Sequence, residues 1–407
     1  MRLLAGIQPL CWLLLVAASA QAQSSSSQLD LKTTLDLAES ANLELRAARQ
    51  QRAITLAGFK VAGQIPNPII SFAAARDTPH ESILWDQTVE LGGKRGKRIA
   101  FAREEQRVTE IDIAALARQI RQRTREAFYR VLWSRAQTEQ SKAALDLATR
   151  IRDTVQQRFE AGDIAELEVI QTEVELARTA VDYEVIAQAQ KIADAQLAAL
   201  LNRPLDGPWD LQGHLGDVPG PESLQAMTDT ALRSNPEVQR SIQELELEQR
   251  RLALAKSQRI PNIDVQVGAD LNSPNEFNAG PRGQIGVSLP LFYHGQGEVA
   301  QSTARLEFLR LSLQAQRTNA SAQVVAAYFD YVGKERQAEQ YGQKIVPQGI
   351  RLEEMAEDSY RSGKSTLLIL IDAQRRLNET RKAYLDTLFA VQSSFAVLEA
   401  VVGTSLD

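Results

Sequence analysis

Ile263-Asp264-Val265-Gln266-Val267-Gly268-Ala269-Asp270-Leu271 steps between apolar and polar or small residues throughout its length. A period of two is the mark of a β-strand whose two faces meet unlike surroundings. A second alternating run begins near Arg282. It places Ile285, Val287, Leu289 and Leu291 on one face and Gln284, Gly286 and Ser288 on the other. The segment between them, Asn272-Ser273-Pro274-Asn275-Glu276 through Asn278-Ala279-Gly280-Pro281, is rich in turn formers. Together these predict a hairpin with strands at about 263–271 and 282–291.

A weaker hairpin is predicted earlier, at about 68–76 and 83–91. Ile70, Phe72 and Ala74 correspond there to Val265, Val267 and Ala269, and Trp85, Val89 and Leu91 to Ile285, Leu289 and Leu291. Gln87 interrupts the apolar face where the second hairpin has Val287. Strands of about 9–10 residues are long enough to cross a bilayer as tilted barrel strands. On that reading Ile70, Phe72, Trp85, Val89, Val265, Val267, Ile285, Val287 and Leu289 are the lipid-facing candidates.

The hairpins belong to a larger duplication. Asn42 and Asn235, Pro66-Asn67 and Pro261-Asn262, Ala127-Phe128-Tyr129 and Ala327-Tyr328-Phe329, and Gly162 and Gly363 recur in the same order. The spacing is far longer than the roughly 20–50 residues of a solenoid unit. Two half-molecules are expected, 23–210 and 211–407.

Each half carries one very long helical run. Lys94 to Glu160 contains no proline and a single glycine, Gly96, and is rich in Ala, Arg, Gln, Glu and Leu. Ile113, Leu116, Ile120, Ala127 and Val131 trace a seam at three-and-four spacing. At 1.5 Å per residue such a helix reaches on the order of 100 Å, too long for one globular core. The second run extends from Gly297 towards Arg361 with Val324, Ala327 and Tyr331 on its seam, and Pro347, followed by Gly349, should bend or stagger it. Shorter helices are expected at Leu31 to Ala62, Ala165 to Leu201, Glu222 to Ser257 and Thr366 to Val401.

The N-terminus gives a location. Arg2, the apolar stretch Leu10 to Val16 and Ala20-Gln21-Ala22 form a secretory signal with cleavage expected after Ala22. Cys11 lies inside the apolar stretch behind Gln8-Pro9-Leu10, a poor context for lipid attachment. Cleavage removes this only cysteine, so no disulfide or thiol chemistry is expected. The formal charge of −5 becomes −6 when Arg2 leaves, 45 Lys+Arg against 51 Asp+Glu, which argues against a nucleic-acid partner. No later stretch of about 18 residues is uninterruptedly apolar, so strands rather than helices are expected to meet lipid.

Four strands cannot enclose a lumen, for which roughly eight are needed, and open edges cannot sit in lipid. The chain must oligomerise, and a homotrimer with twelve strands is the simplest closed answer.

The whole of the expected mature chain resembles the TolC-type outer membrane factor family. Besides the duplicated helix–hairpin–helix plan, two turns carry the resemblance. They are Arg158-Phe159-Glu160-Ala161-Gly162-Asp163 leading to Leu167 and Val169, and Ser359-Tyr360-Arg361-Ser362-Gly363-Lys364 leading to Leu368, Leu370, Asp372 and Gln374. The first has Gln171 where the second has Asp372. The resemblance implies a mainly α fold with a small transmembrane β part, a trimeric 12-stranded barrel continued by a long α-helical periplasmic barrel. It implies that the tips at about 159–167 and 360–368 dock a periplasmic adaptor through Phe159, Gly162, Asp163, Leu167, Tyr360, Gly363, Lys364 and Leu368. Phe159 and Tyr360 are expected to pack across their turns.

Glu90-Leu91-Gly92-Gly93-Lys94-Arg95-Gly96-Lys97-Arg98 is similar to the strand-to-helix junction of the CzcC-like branch. Members of that branch serve heavy-metal efflux pumps of the resistance–nodulation–division (RND) class, and the short C-terminus after the last helix suits the branch too. The four cations of this junction are expected near lipid phosphates. The implied function is the outer membrane duct of a Gram-negative tripartite efflux system, passive itself, partnered by an adaptor and an inner-membrane RND pump, with metal cations as cargo. Drugs or organic solvents, or type I protein secretion, are the alternative cargoes. A soluble periplasmic coiled-coil adaptor or scaffold is the alternative of another class, and it would call for one helical hairpin inserted in a β-rich domain.

No enzyme or cofactor site is expected. The junction lacks phosphate-loop spacing. His80, His214 and His294 are far apart with no second ligand at metal-binding spacing, and read as surface residues. Asp163 and Glu166 would form an acidic ring on trimerisation and are the candidate gate, although acidic residues also favour helix starts.

Overall fold

A computed structural model describes residues 28–77, 79–204, 210–217, 220, 223–273 and 277–406. The expected signal peptide and its Cys11 lie outside the described residues. Helices α1 (Leu31–Ala41) and α2 (Leu43–Ala62) lead into strands β2 (Ile69–Ala74) and β3 (Glu81–Val89), then α3 (Lys94–Glu160) and α4 (Glu166–Leu200). The order repeats as α5 (Leu224–Ser234), α6 (Pro236–Gln258), β5 (Ile263–Ser273), β6 (Phe277–Val287), α7 (Gln296–Gln340), α8 (Val346–Arg361) and α9 (Leu367–Val402). Short strands β1 (Gln28–Leu29) and β4 (Asp210–Leu211) pair in parallel beside the helices, a contact no local pattern announced.

The 67-residue α3 has the bounds its composition predicts. Its seam is buried: Ile113, Ile120, Ala127 and Val131 sit in one core with Phe128, Leu197 and Leu45, and Leu116 packs against them. Val324 and Tyr331 are buried in a second core with Phe395 and Leu398, flanked by Ala327. The second long run is staggered as expected. A π-helical turn, Tyr341–Ile345, separates α7 from α8 just before Pro347. Proline lacks the N–H that the helix ladder needs and crowds the preceding turn, and a π-turn absorbs the misfit.

The expected helices 31–62 and 222–257 are each broken in two. Asn42 accepts a hydrogen bond from the Leu45 amide, and Asn235 accepts from the Glu237 and Val238 amides, so each caps a new helix. Their Nδ2 groups donate to the Leu200 and Val401 carbonyls, fastening α2 and α6 to the ends of α4 and α9 in the same way.

By length and mean hydropathy, α9 could cross a membrane, contrary to the expectation that no later helix qualifies. Its apolar window tolerates interspersed polar residues, which a search for uninterrupted runs overlooks. Half of that window is buried inside the chain, and α9 lies against α3, α7 and α8, the position of a core helix.

Strands β2, β3, β5 and β6 form one antiparallel sheet in that order, so the two hairpins join through β3 and β5. Three expectations need correction here. β2 is six residues long and β3 ends at Val89. The turn-rich segment is largely strand: Asn272 and Ser273 extend β5, and β6 starts at Phe277, with Pro281 opposite Ala269. An edge strand tolerates proline because its missing N–H costs no ladder bond on the open side. Leu289 consequently lies beyond the end of β6 and is not a strand residue.

Candidate functional site

Register fixes the faces of the sheet. Ile70 lies opposite Trp85, Trp85 opposite Val267, and Val265 opposite Ile285; Phe72–Ile83 and Ile263–Val287 share that face. The lipid-facing candidates within the strands therefore gather on one side. The other side carries Ser71, Ser82, Asp86, Thr88, Asp264, Gln266, Asp270, Arg282 and Gln284. Thr88 Oγ1 donates to Asp264 at 2.6 Å, Gln266 Nε2 donates to Asp86 at 3.0 Å, and Arg282 lies 3.5 Å from Asp270.

The apolar side of the sheet is largely bare. Ile70 is 71% exposed, Phe72 66% and Ile285 72%, while Ser82, Asp86, Thr88 and Asp264 are half-buried. In the second hairpin Ile263 and Val265 are half-buried, whereas Val267, Ile285 and Val287 are exposed. Gln87 sits on the apolar face, but its side-chain amide donates to the Pro66 and Thr88 carbonyls and so arrives already bonded. A bare apolar face of this extent marks a surface made for lipid or a partner.

At the far end of the helices, two turns share one construction. Gly162 has φ +82° and Gly363 φ +71°, the left-handed region where side chains strain the backbone. The Asp163 amide donates to the Arg158 carbonyl and the Gly162 amide to Phe159, while Lys364 and Gly363 repeat those bonds to Ser359 and Tyr360. This double closure satisfies the last carbonyls of each helix. Val155, Val169, Leu367 and Ile371 bury together beneath and hold the two turns side by side.

The aromatics of these turns do not play matched roles, which corrects the expectation that both pack. Phe159 is exposed. Tyr360 is half-buried against Ile371 and its cluster; its hydroxyl donates to Glu168 at 3.3 Å and accepts from Arg158 at 3.2 Å. Burial first, and then the Glu168 carboxylate, raise the Tyr360 phenol above its ordinary range. Leu167 and Leu368, at equivalent places after each turn, project into solvent at 63% and 61% exposure. Asp163, Glu166 and Lys364 are exposed beside them.

The structure also supplies ties that sequence reading missed, because their partners lie far apart in the chain. Arg375 forks onto Glu175 and joins α9 to α4. At mid-length Arg125, 1% exposed, meets Glu399 at 2.8 Å and stacks 4.7 Å from the centre of the Phe395 ring. A guanidinium in an Arg-rich helix gives no local sign that it faces inward.

The basic junction is tied down within the chain. Lys94 is buried and its Nζ donates to Asn262 at 2.5 Å; Arg98 pairs with Glu90 and donates to the Gln64 carbonyl; Arg95 donates to Gly63. These three of the four cations clamp the strand-to-helix corner. His214 and His294 are exposed, and His80 is half-buried with Nδ1 3.4 Å from the Ala75 carbonyl oxygen. Among the described residues no group of His, Cys, Asp or Glu could hold a metal ion.

Residues 227–404 match the family model described as outer membrane efflux protein. The cobalt-zinc-cadmium resistance protein CzcC of Cupriavidus metallidurans is 24% identical over 387 residues, covering 94% of this chain and 91% of CzcC. The pyoverdine export outer membrane protein OpmQ of Pseudomonas aeruginosa is 24% identical over 339 residues, covering 82% of this chain and 69% of OpmQ. The crystal structure of CusC superposes with a TM-score of 0.76 at 17% identity and covers 92% of each chain, showing the same fold. Residues 227–404 thus carry an outer membrane efflux protein domain, and the whole chain shares the fold of the TolC-type outer membrane channels.

Proposed function

We propose that three copies close a twelve-stranded barrel in the Gram-negative outer membrane and continue it as a helical tunnel through the periplasm, forming a passive exit duct. The open four-stranded sheet with its bare apolar face carries this reading, since among the described residues neither its face nor its edges are satisfied within one chain. Two similar halves, 23–210 and 211–407, in each of three chains would give six near-equivalent units around one pore. Recovery of the chain in the soluble periplasm without detergent would overturn it in favour of an adaptor or scaffold.

The exposed Leu167 and Leu368, presented alike beside Gly162 and Gly363, are the proposed docking points for a periplasmic adaptor, with an inner-membrane RND pump supplying the energy. Asp163 and Glu166 form the proposed acidic gate. Leu368→Glu should abolish efflux while oligomers still form, and unchanged export would remove the docking role.

Likeness to CzcC along nearly the whole chain supports divalent metal cations as cargo. Likeness to OpmQ supports a second reading, an organic cargo. A strain lacking the chain should lose tolerance to cobalt, zinc or cadmium; loss of organic-compound export alone, with metal tolerance unchanged, would select the second reading.

A further inference from the structure

The turns at 159–167 and 360–368 share a backbone and differ in charge. Glu160 is the last residue of α3, and Arg361 is the last residue of α8. Asp163 and Lys364 each follow the left-handed glycine, with their amides bonded alike to the Arg158 and Ser359 carbonyls. At both matched positions an acid in one turn is therefore a base in the other. The inner charges are already engaged: Arg158 lies over the Tyr360 ring at 5.7 Å, and Glu168 accepts from its hydroxyl. What stays exposed has one sign in each turn, Glu160, Asp163 and Glu166 in the first, Arg361 and Lys364 in the second.

Helix ends do not explain this pattern. The carbonyl end of a helix favours cations and the amide end favours anions. Arg361 and Asp163 follow that preference, but Glu160 stands at the carbonyl end of α3 and Lys364 just ahead of the amide end of α9. Nor are the charges spent on each other. Val155, Val169, Leu367 and Ile371 hold the turns side by side, yet among the described residues no ion pair joins the exposed acids of one to the exposed bases of the other. Glu160 accepts from Gln156 one turn back, and Arg361 pairs one turn back with Glu357 while its side chain stays 73% exposed. Each turn also presents one exposed leucine at an equivalent place, Leu167 or Leu368. An apolar knob bordered by charge of one sign gains affinity from the knob and choice of partner from the border.

We infer that the two turns take partner hairpins of opposite character. A hairpin end with lysine or arginine beside an apolar tip seats on Leu167, and one with aspartate or glutamate seats on Leu368. The inference rests on the proposed docking role of these turns and deepens it by giving the charge of the partner. The wrong end on either turn would set like charges together, which refuses it. Around the proposed ring the signs alternate. A partner whose hairpins alternate in the opposite sense seats in three angular positions and is turned away from the three between.

Two synthetic helical hairpins, alike except for Lys or Glu flanking a leucine at the bend, test this on the full-length chain in detergent at physiological salt. The Lys hairpin should bind the unaltered chain and lose about tenfold in affinity for Glu160→Lys/Asp163→Lys, while binding of the Glu hairpin does not weaken. Arg361→Glu/Lys364→Glu should do the reverse. Both differences should shrink at about 1 M salt, where the screening length is about 3 Å. All four residues are exposed, so thermal melting of the variants should match the unaltered chain. Binding indifferent to both reversals, or no binding of either hairpin, would overturn the inference. Indifferent binding together with raised ion conductance of Arg361→Glu/Lys364→Glu in a planar bilayer would overturn it by assigning the charges to a contact between turns. Leu368→Glu separates this from the docking role itself. Export lost in that variant, with binding indifferent to charge, would remove the polarity and leave the docking. Export kept would remove the docking, and the polarity with it.

Discussion

The two long helical runs begin and end alike but differ in the middle. Both start behind a left-handed glycine and both finish in the same doubly closed turn. Between those points α3 is unbroken and carries the buried Arg125, whereas its counterpart is divided by a π-turn and carries Val325 at the corresponding place. The ends are therefore the constrained parts of each run, because they meet the sheet above and the tips below. The middles are free to specialise, one as a strut tied to the other half, the other as a jointed rod.

Breaking the strut should have the largest effect. Arg125→Ala leaves the buried Glu399 with only the more distant Arg121, 3.8 Å away, and loss of the nearer buried partner costs about 3 kcal/mol. Thermal unfolding in detergent should show it, and Val325→Ala on the opposite run should cost far less. The shared ends give the next test. Gly162→Ala and Gly363→Ala should each cost about 1–2 kcal/mol from backbone strain alone, since nothing lies near the added methyl group. Equal losses would confirm that the turns are equivalent as structures, and any unequal loss of efflux would then report their different duties.

The joint itself can be probed at Gly342, where an added Cβ would lie 2.9 Å from the Tyr384 hydroxyl. Gly342→Ala should cost about 1 kcal/mol through overpacking and raise hydrogen exchange in 341–349, and Tyr384→Phe in the same chain should restore most of it. The smallest effect is electrostatic. Arg52 forks onto Glu110 at 2.6 Å and holds that carboxyl below its usual range, tying α2 to α3. A lowered folded-state pKa stabilises above the unfolded value and is lost as pH falls through the folded one. Glu110→Gln should therefore flatten the stability curve slightly in the acid range and leave it unchanged in slope near neutrality.

Much of this was legible in the sequence because it is written in local periods. Seam residues such as Ile120, Val131 and Val324 report a helix through three-and-four spacing, and Val265 and Ile285 report a two-faced strand. Gly162 and Gly363 announce their turns because few other residues fit there. What stayed hidden depends on residues far away in the chain. Nothing beside Arg125 or Arg375 reveals that a carboxylate from another helix meets it, and nothing beside Leu29 reveals its partner Leu211. The helix breaks at Asn42 and Asn235 were half visible. The two asparagines recur at matching places in the duplication, but strong helix formers on either side mask the interruption, even with Pro236 following the second. The misjudged turn before Arg282 has a similar cause, since Asn, Gly and Pro are turn formers only when no neighbouring strand recruits them.

The sheet has no core of its own, and that bears on how the protein comes into being. A newly exported chain can zip its long helices together in water, because their seams bury one another. Its four strands gain nothing by folding there: one face would present bare Ile, Phe and Trp, and both edges would offer unpaired backbone to any passing strand. In the proposed ring, arrival at the bilayer together with sister chains would remove both hazards at once. Insertion and assembly would then be one event, and a cell making this protein would have to keep the half-built form escorted until it occurs.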